Sequence, residues 1–437
     1  MAIPRPREYA LGASAIPMVA VLDDRKQQRH EMLEFLKHNF RWIAGGFLLT
    51  YFSSFGQTFF ISASIGEWQA SFALSHGEIG RLYMLATLGS ALCLPFLGRL
   101  VDVLPEHRVI LMVIPILASA SLLAAYAPSV TLLVIAIFLL RLFGQGMMTH
   151  IALTATGRWF HAQRGRAVSL VTLGHQGGEA TLPLLFATIS LIAGYQTGWL
   201  IGAIALMVIG LPLTYGAYRV PRAPNLNKTS SAADANTARD WSRQEVLKDP
   251  AFWLLLTGVL APPFVGTTIF YHQDYLTDLR DWPPQFYALS LSVAAVTTVV
   301  FALLGGVLID RFRAVSILPY FLLPLGASCF VLAMEGPAEL LFLVMFLLGI
   351  AYGLSSTLFG ALWPELYGVQ HLGAIRSITV SAMVFATAAG PGLTGTLIDR
   401  GISVPEQIFW VGLYCLLATM VMTGLSIFLR RRHASSS

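Results

Sequence analysis

Apolar runs of about twenty residues recur along almost the whole chain. That is the length an α-helix needs to cross the hydrocarbon core of a bilayer. The runs fall at 42–64, 77–98, 108–127, 130–155, 166–188 and 196–218, then at 251–273, 284–307, 314–334, 339–362, 373–397 and 406–429. Helices apolar on every side must be covered by lipid or by one another. Composition agrees. The 437 residues are 56% hydrophobic and 12% charged, against about 25% charged in an ordinary soluble domain. A disordered chain, a coiled coil and a nucleic-acid-binding domain are excluded. Cys93, Cys329 and Cys415 each lie inside an apolar run, so neither a disulfide framework nor a metal site is expected.

The stretch 219–250 interrupts the apolar pattern with Pro221, Pro224, Asn225, Lys228, Thr229, Ser230 and Ser231. It reads as a solvated linker, with a short amphipathic helix expected between Trp241 and Pro250. The chain then divides into a tail (1–41), a six-helix bundle (42–218), the linker (219–250), a second bundle (251–429) and a tail (430–437). The first tail lacks the apolar core of a cleavable signal and is expected to be helical around Glu31 to Lys37. Of the 28 Lys and Arg residues, all but Arg81, Arg141, Arg280 and Arg400 fall in the tails, the linker and the loops on their side. The positive-inside rule therefore places both termini in the cytoplasm. The expected setting is a multi-pass cell-membrane protein, in a bacterial inner membrane, working as a monomer.

The halves repeat. An offset of 208 carries Gly98 to Gly306, Asp102 to Asp310, Leu139 and Leu140 to Leu347 and Leu348, Gly165 to Gly373 and Pro183 to Pro391. An offset of 210 carries Gly56, Thr58 and Phe60 to Gly266, Thr268 and Phe270. The fold class expected is an all-α membrane protein of twelve transmembrane helices in two pseudo-symmetric six-helix bundles. Parallel repeats of six place a solute site between the halves near mid-membrane, as in secondary transporters.

The loop after the second span reads Gly98-Arg99-Leu100-Val101-Asp102, then Arg108, and its repeat reads Gly306-Val307-Leu308-Ile309-Asp310-Arg311. Both resemble the signature loop of the major facilitator superfamily. A Gly would end each helix tightly, and an Asp at the membrane face would accept hydrogen bonds from a neighbouring helix N-terminus and pair with an Arg. These five residues (Gly98, Asp102, Gly306, Asp310, Arg311) form the expected gating latch. Val103 stands where the family places a basic residue, so the first copy is degenerate. The run Arg141-Leu142-Phe143-Gly144-Gln145-Gly146 resembles the superfamily's second motif. Trp159-Phe160 followed by Arg164-Gly165-Arg166-Ala167, together with Gly390-Pro391-Gly392 and Gly395-Thr396-Leu397-Ile398-Asp399, resembles the branch of monocarboxylate and oxalate/formate carriers. That branch places a cation in its eighth helix, whereas 284–307 holds no Lys, Arg, Asp or Glu. An anion site here must lean on Arg141 or Arg376.

Arg141 lies about 16 Å from the outer end of the fourth span, near mid-membrane. An Arg there costs at least about 2.5 kcal/mol unless it is paired or faces water. It reads either as a substrate anion site or as half of a structural pair. Glu179 in the fifth span lies within about one turn of the same depth, and His175 shares its face at i, i+4. The expectation is a proton-coupling pair, His175 and Glu179, with Glu179 neutralising Arg141 when no substrate is bound. The alternative is that Glu179 sits in the outer vestibule and His175 hydrogen-bonds between helices. The remaining substrate-binding candidates are Gln57, Tyr83, Gln145, Thr267, Tyr271, Tyr352 and Ser355. His150 reads as structural.

The function expected is a secondary active transporter of a small organic solute, a carboxylate-type anion moved with protons by alternating access. No cofactor and no partner beyond the solute and the bilayer are implied. Proton-coupled efflux is the rival. Efflux antiporters of the superfamily carry Gly-Pro in the fifth helix, whereas here Leu182 precedes Pro183. The chain has no nucleophile cluster, metal cluster or phosphate loop that would make it an enzyme. A receptor would be told apart by binding without flux.

Overall fold

The computed structural model describes residues 18–160, 164–220, 241–368 and 371–434. Most of the expected linker lies outside the described residues. Among the described residues twelve helical rods can be traced. In the first half these are α1 (18–72, in several pieces), α2 (His76–Leu97), α3 (Glu106–Ala125), α4 (Val130–Trp159), α5 (Arg164–Ala193) and α6 (Tyr195–Tyr218). In the second half they are α7 (250–279, in three pieces), α8 (Pro284–Phe312), α9 (314–333, in two pieces), α10 (Leu340–Tyr367), α11 (Leu372–Asp399) and α12 (Val404–Ala434). Among the described residues nine helices are long and apolar enough to cross a membrane on length and composition alone. The rods α1, α5 and α9 complete the set. Leu92, Phe96, Val296 and Leu303 project outward with more than 60% of their surface free, as side chains facing lipid do.

Local chemistry sets where the rods begin. Ser75 caps α2 by accepting from the Glu78 N–H while Glu78 accepts from the Ser75 N–H. This reciprocal cap satisfies two of the backbone donors that a helix start leaves orphaned. Asp249 caps α7 ahead of Pro250, whose missing N–H costs nothing at that position. Gly194 (φ 82°) turns the chain from α5 into α6, a backbone state that a side chain would strain.

The start of α1 and the end of α12 fall at one face, here the terminal face; the opposite end is the far face. The expected helix near Trp241 is present as Arg243–Lys248 and is docked on the second half. The Trp241 N–H donates to the Tyr367 carbonyl at 3.0 Å. Arg432 of α12 bonds Asp249 at 3.3 Å and lies 4.8 Å over the Trp241 ring. The expected helical stretch around Glu31 to Lys37 belongs to α1, which starts at Met18.

The halves meet along α2 with α11 and along α5 with α8. Glycines let α2 and α11 approach closely. A Cβ on Gly80 would stand 2.5 Å from the Pro391 carbonyl, and one on Gly392 would meet Met84. Such contacts are how helices associate where no hydrophobic effect drives them. The hydrogen bonds and ring contacts that Gly66, Ser75, Gly77, Arg81, Ala180, Phe59, His76 and Tyr83 make with the second half lie from mid-depth to the far face. These contacts close the far face.

The signature loops differ from expectation. Gly98 does follow the last residue of α2, but in a right-handed helical conformation (φ −57°), wedged against His150. Gly306 ends nothing. Helix α8 runs on to Phe312 and is broken by Arg313 at φ 70°. An α-helix continues through glycine when no competing cap is offered, and nothing stands within 4 Å of where a Gly306 Cβ would be. The side chains of Asp102 and Asp310 lie outside the described residues. Arg311 is exposed and covers the neighbouring Phe312 ring at 5.3 Å. Among the described residues the start of α9 is held by Glu365 of α10. It accepts from Arg313 at 3.1 Å and from the Ala314 N–H at 2.8 Å.

Candidate functional site

The site begins with a break in α1. The helix tightens at Ser53–Gly56, opens at Gln57 into an extended backbone (ψ 153°), and resumes at Thr58. Carbonyls near the break therefore lose their helical partners. Opposite it, α4 widens into a π-helical stretch over Leu140–Met148, a distortion found mostly at functional sites. The two irregularities fit together through glycine. A Cβ on Gly144 would lie 2.7 Å from the Gly56 Cα, and one on Gly56 would lie 2.5 Å from the Gln145 N–H.

This junction aims Arg141. The side chain is 3% exposed. Its Nη1 donates to the Gly56 carbonyl at 3.3 Å and to Thr58 Oγ1 at 3.2 Å, and the guanidinium lies 5.7 Å from the Tyr83 ring. Nε has no acceptor. Tyr83 is buried on α2 and donates to the same Thr58 hydroxyl at 2.9 Å. On its other side it packs against Tyr271 of α7, ring centroids 4.7 Å apart. A buried cation thus meets a carbonyl, a hydroxyl and an aromatic face, and no carboxylate among the described residues.

The expected pairing of Arg141 with Glu179 is not made. The break in α1 stands against the guanidinium and takes its Nη1 donor. Glu179 is 5% exposed on α5, the helix that packs against α8 of the second half. It lies near Tyr287 of α8 and Tyr352 of α10, and it forms no hydrogen bond or ion pair among the described residues. One residue further, the Ala180 carbonyl accepts from Ser292 of α8 at 2.5 Å. His175 is half-buried one turn toward the terminal face, 5.8 Å from the Phe59 ring.

The other candidates separate by exposure. Gln57, Gln145 and Tyr352 are half-buried, and Gln57 sits at the break itself. Tyr352 reaches into the space that Gly266 leaves open and donates to the Pro262 carbonyl at 3.4 Å. Thr267 is buried and turned back on its own helix, bonding the Pro263 carbonyl at 2.6 Å. The hydroxyls of Tyr271 and Ser355 are buried without partners. Arg376 is exposed on α11. Thr58 was absent from the expected site, although it shares the Arg141 and Tyr83 bonds. Its signal was the repeat itself, which pairs Thr58 with Thr268. A separate hollow of about 330 Å³ lies between Trp68, Ala125 and Tyr195 at the far rim of the first half, away from Arg141. No group of metal-ligating side chains occurs among the described residues.

These features coincide with known proteins at the level of fold and family. No curated protein matches in sequence. Among solved structures, the crystal structure of the nucleoside transporter NupG is similar with a TM-score of 0.65 at 15% identity, covering 89% of this chain and 98% of that one. A mutant of the same transporter gives 0.65 at 14%, covering 90% and 99%. The sequence profile described as Major Facilitator Superfamily matches residues 47–273 and again 264–437. The two matches repeat the internal symmetry, and together they span both bundles. The chain belongs to the Major Facilitator Superfamily and is a membrane transporter, not an enzyme.

Proposed function

We propose that this transporter carries a small organic anion of the carboxylate type, together with protons, by alternating access between its two halves. The observation that carries the reading is Arg141, a buried guanidinium with no carboxylate partner among the described residues. A cation held at that depth is costly until an anion reaches it. A carboxylate cargo supplies that counter-charge with the forked geometry guanidinium favours. The loops resembling the monocarboxylate and oxalate/formate branch support the same cargo. Glu179 is the complementary half of the proposal. An ionised carboxylate buried without a cation is costly, and taking up a proton removes that cost. Because Glu179 lies near Tyr287 of α8 and Tyr352 of α10, its surroundings change whenever the halves separate. His175 on the same face is placed to pass the proton. If both termini are cytoplasmic, as the positive-inside count suggests, the closed far face is the outer one.

The test is uptake into proteoliposomes of a carboxylate panel, with nucleosides as the neutral control. Arg141→Ala should reduce carboxylate uptake at least a hundredfold, and Arg141→Lys should restore only part of it. Glu179→Gln should leave exchange of bound cargo intact while abolishing the response to an imposed pH gradient. Unchanged uptake of every carboxylate in Arg141→Ala would overturn the assignment.

A further inference from the structure

The far seal holds a contact that neither the cargo site nor the signature loops require. Asp399, the last residue of α11, reaches the other half at the start of α2. Its Oδ2 accepts from Ser75 Oγ at 2.7 Å and from the Gly77 N–H at 3.0 Å. Ser75 is the N-cap of α2, so a carboxylate from the second half completes a helix start in the first. First-turn amides carry the positive end of the helix dipole and favour an anion there. One turn further along the same helix pair, Arg81 donates to Thr396 at 3.3 Å. The α1·α7 contact repeats the pattern, with Asp274 accepting from the Gly66 N–H at 2.9 Å. Both bonds have the same sense, a carboxylate of the second half on a backbone amide of the first. Between them the α2·α11 contact is glycine packing through Gly77, Gly80, Gly392 and Gly395. Such packing lets the helices approach but gives little directional preference.

We propose that Asp399 is the bolt of the far gate. It is a positioning residue whose bonds to Ser75 and Gly77 hold the far face closed and break each time that face opens. It acts on the cycle through α2 and not through the cargo, so the proposal stands whatever solute is carried. Asp399 is exposed at the rim, and water replaces part of what is lost when the bonds break. Removing both bonds should therefore raise the ratio of far-open to far-closed molecules about tenfold.

The experiment is double electron–electron resonance on the full chain in nanodiscs, with Cys93 replaced by Ser. Spin labels go at Ser71 and Glu406, exposed far-face positions in opposite halves. Asp399→Ala should add a longer-distance population at about ten times the wild-type ratio. Asp399→Asn, which keeps an acceptor oxygen but not the charge, should open less than Asp399→Ala. If Asp399→Ala does not fold, Ser75→Gly removes one of the two bonds, keeps a tolerated cap and should shift the ratio about threefold. Distances unchanged in Asp399→Ala, or unchanged in Ser75→Gly when that variant stands in for it, would overturn the proposal. So would an Asn variant that opens as far as Ala.

Discussion

The α1·α4 junction and the α7·α10 junction are the same joint built twice, and only one of them holds a charge. The repeat that carries Gly98 to Gly306 also carries Gly144 to Tyr352 and Arg141 to Gly349. In the first half, glycine meets glycine and backbone lies on backbone, so Arg141 is drawn up against the broken α1. In the second half, Gly266 makes room for the Tyr352 hydroxyl, and Gly349 turns toward α8, where a Cβ would stand 2.7 Å from the Ala294 carbonyl. The frame needs a close approach at both places. Chemistry was added at one and packing at the other. The comparison predicts that substrate preference is governed by the first joint and stability by both.

The largest effect should separate these roles directly. Arg141→Ala is expected to lose carboxylate uptake at least a hundredfold while the protein stays folded, since it removes an unpaired buried cation. Gly349→Ala presses a methyl onto backbone and is expected to cost about 1–3 kcal/mol of stability with the ranking of substrates unchanged. Thermal denaturation in detergent, beside uptake of the same panel, reads both. Loss of carboxylate preference in Gly349→Ala would break the division between the halves.

A smaller effect distinguishes the two glycine joints themselves. A Cβ on Gly56 would collide with the Leu140 carbonyl and the Gln145 amide, which are rigid backbone. A Cβ on Gly266 would collide still more closely, but with the tip of Tyr352, which can swing away. Gly56→Ala should therefore be the worse variant, destabilised by about 2–3 kcal/mol and poor in uptake. Gly266→Ala should recover most of its stability when combined with Tyr352→Phe. Equal losses, or no recovery in the double variant, would show that the second joint is as rigid as the first.

The signature loops give the next contrast. A Cβ on Gly98 would meet the Leu94 carbonyl at 2.9 Å and His150 at 3.1 Å, whereas one on Gly306 meets nothing within 4 Å. Gly98→Ala is expected to cost about 1 kcal/mol. Gly306→Ala, in mid-helix, should gain a few tenths of a kcal/mol from helix propensity. Melting curves of the two variants side by side decide it. A Gly306→Ala variant that melts lower would show that the loop closes onto this position elsewhere in the cycle.

The rods, their order and the repeat were legible because lipid enforces length and apolarity residue by residue. The place of Arg141 inside the fourth apolar run was legible for the same reason, since a charge there is conspicuous. What Arg141 touches was not. Its partners are a carbonyl freed by an unwound Gln57 and a hydroxyl on the next turn, and the sequence marks that break only by Ser53, Ser54 and Gly56. No proline announces it. The π-helical widening of α4 was equally hidden, because Gly144 and Gly146 read as packing residues until Gly56 is seen against them. The neutralising pair of Arg141 and Glu179 followed from depth alone, and depth does not say which way around the bundle a side chain faces. Glu179 lies near Tyr287 and Tyr352, on helices more than a hundred residues away.

The smallest contrast tests how far Arg141 is linked to the opposite half. Tyr83 joins three elements at once. It shares Thr58 with Arg141, lies beside the guanidinium, and packs on Tyr271 across the seam. Tyr83→Phe keeps the ring and both ring contacts but removes the 2.9 Å bond, an expected cost of about 1 kcal/mol at a buried site. Thr58 would then answer to Arg141 alone, so the guanidinium should move and the affinity for cargo should change about fivefold with little change in maximal rate. Tyr352→Phe removes a 3.4 Å bond at the matching joint, geometry too long to contribute much, and should change neither quantity by more than about twofold. Equal responses from the two variants would mean that the hydroxyl of Tyr83 does not position the cation. The asymmetry between the joints would then rest on Arg141 alone.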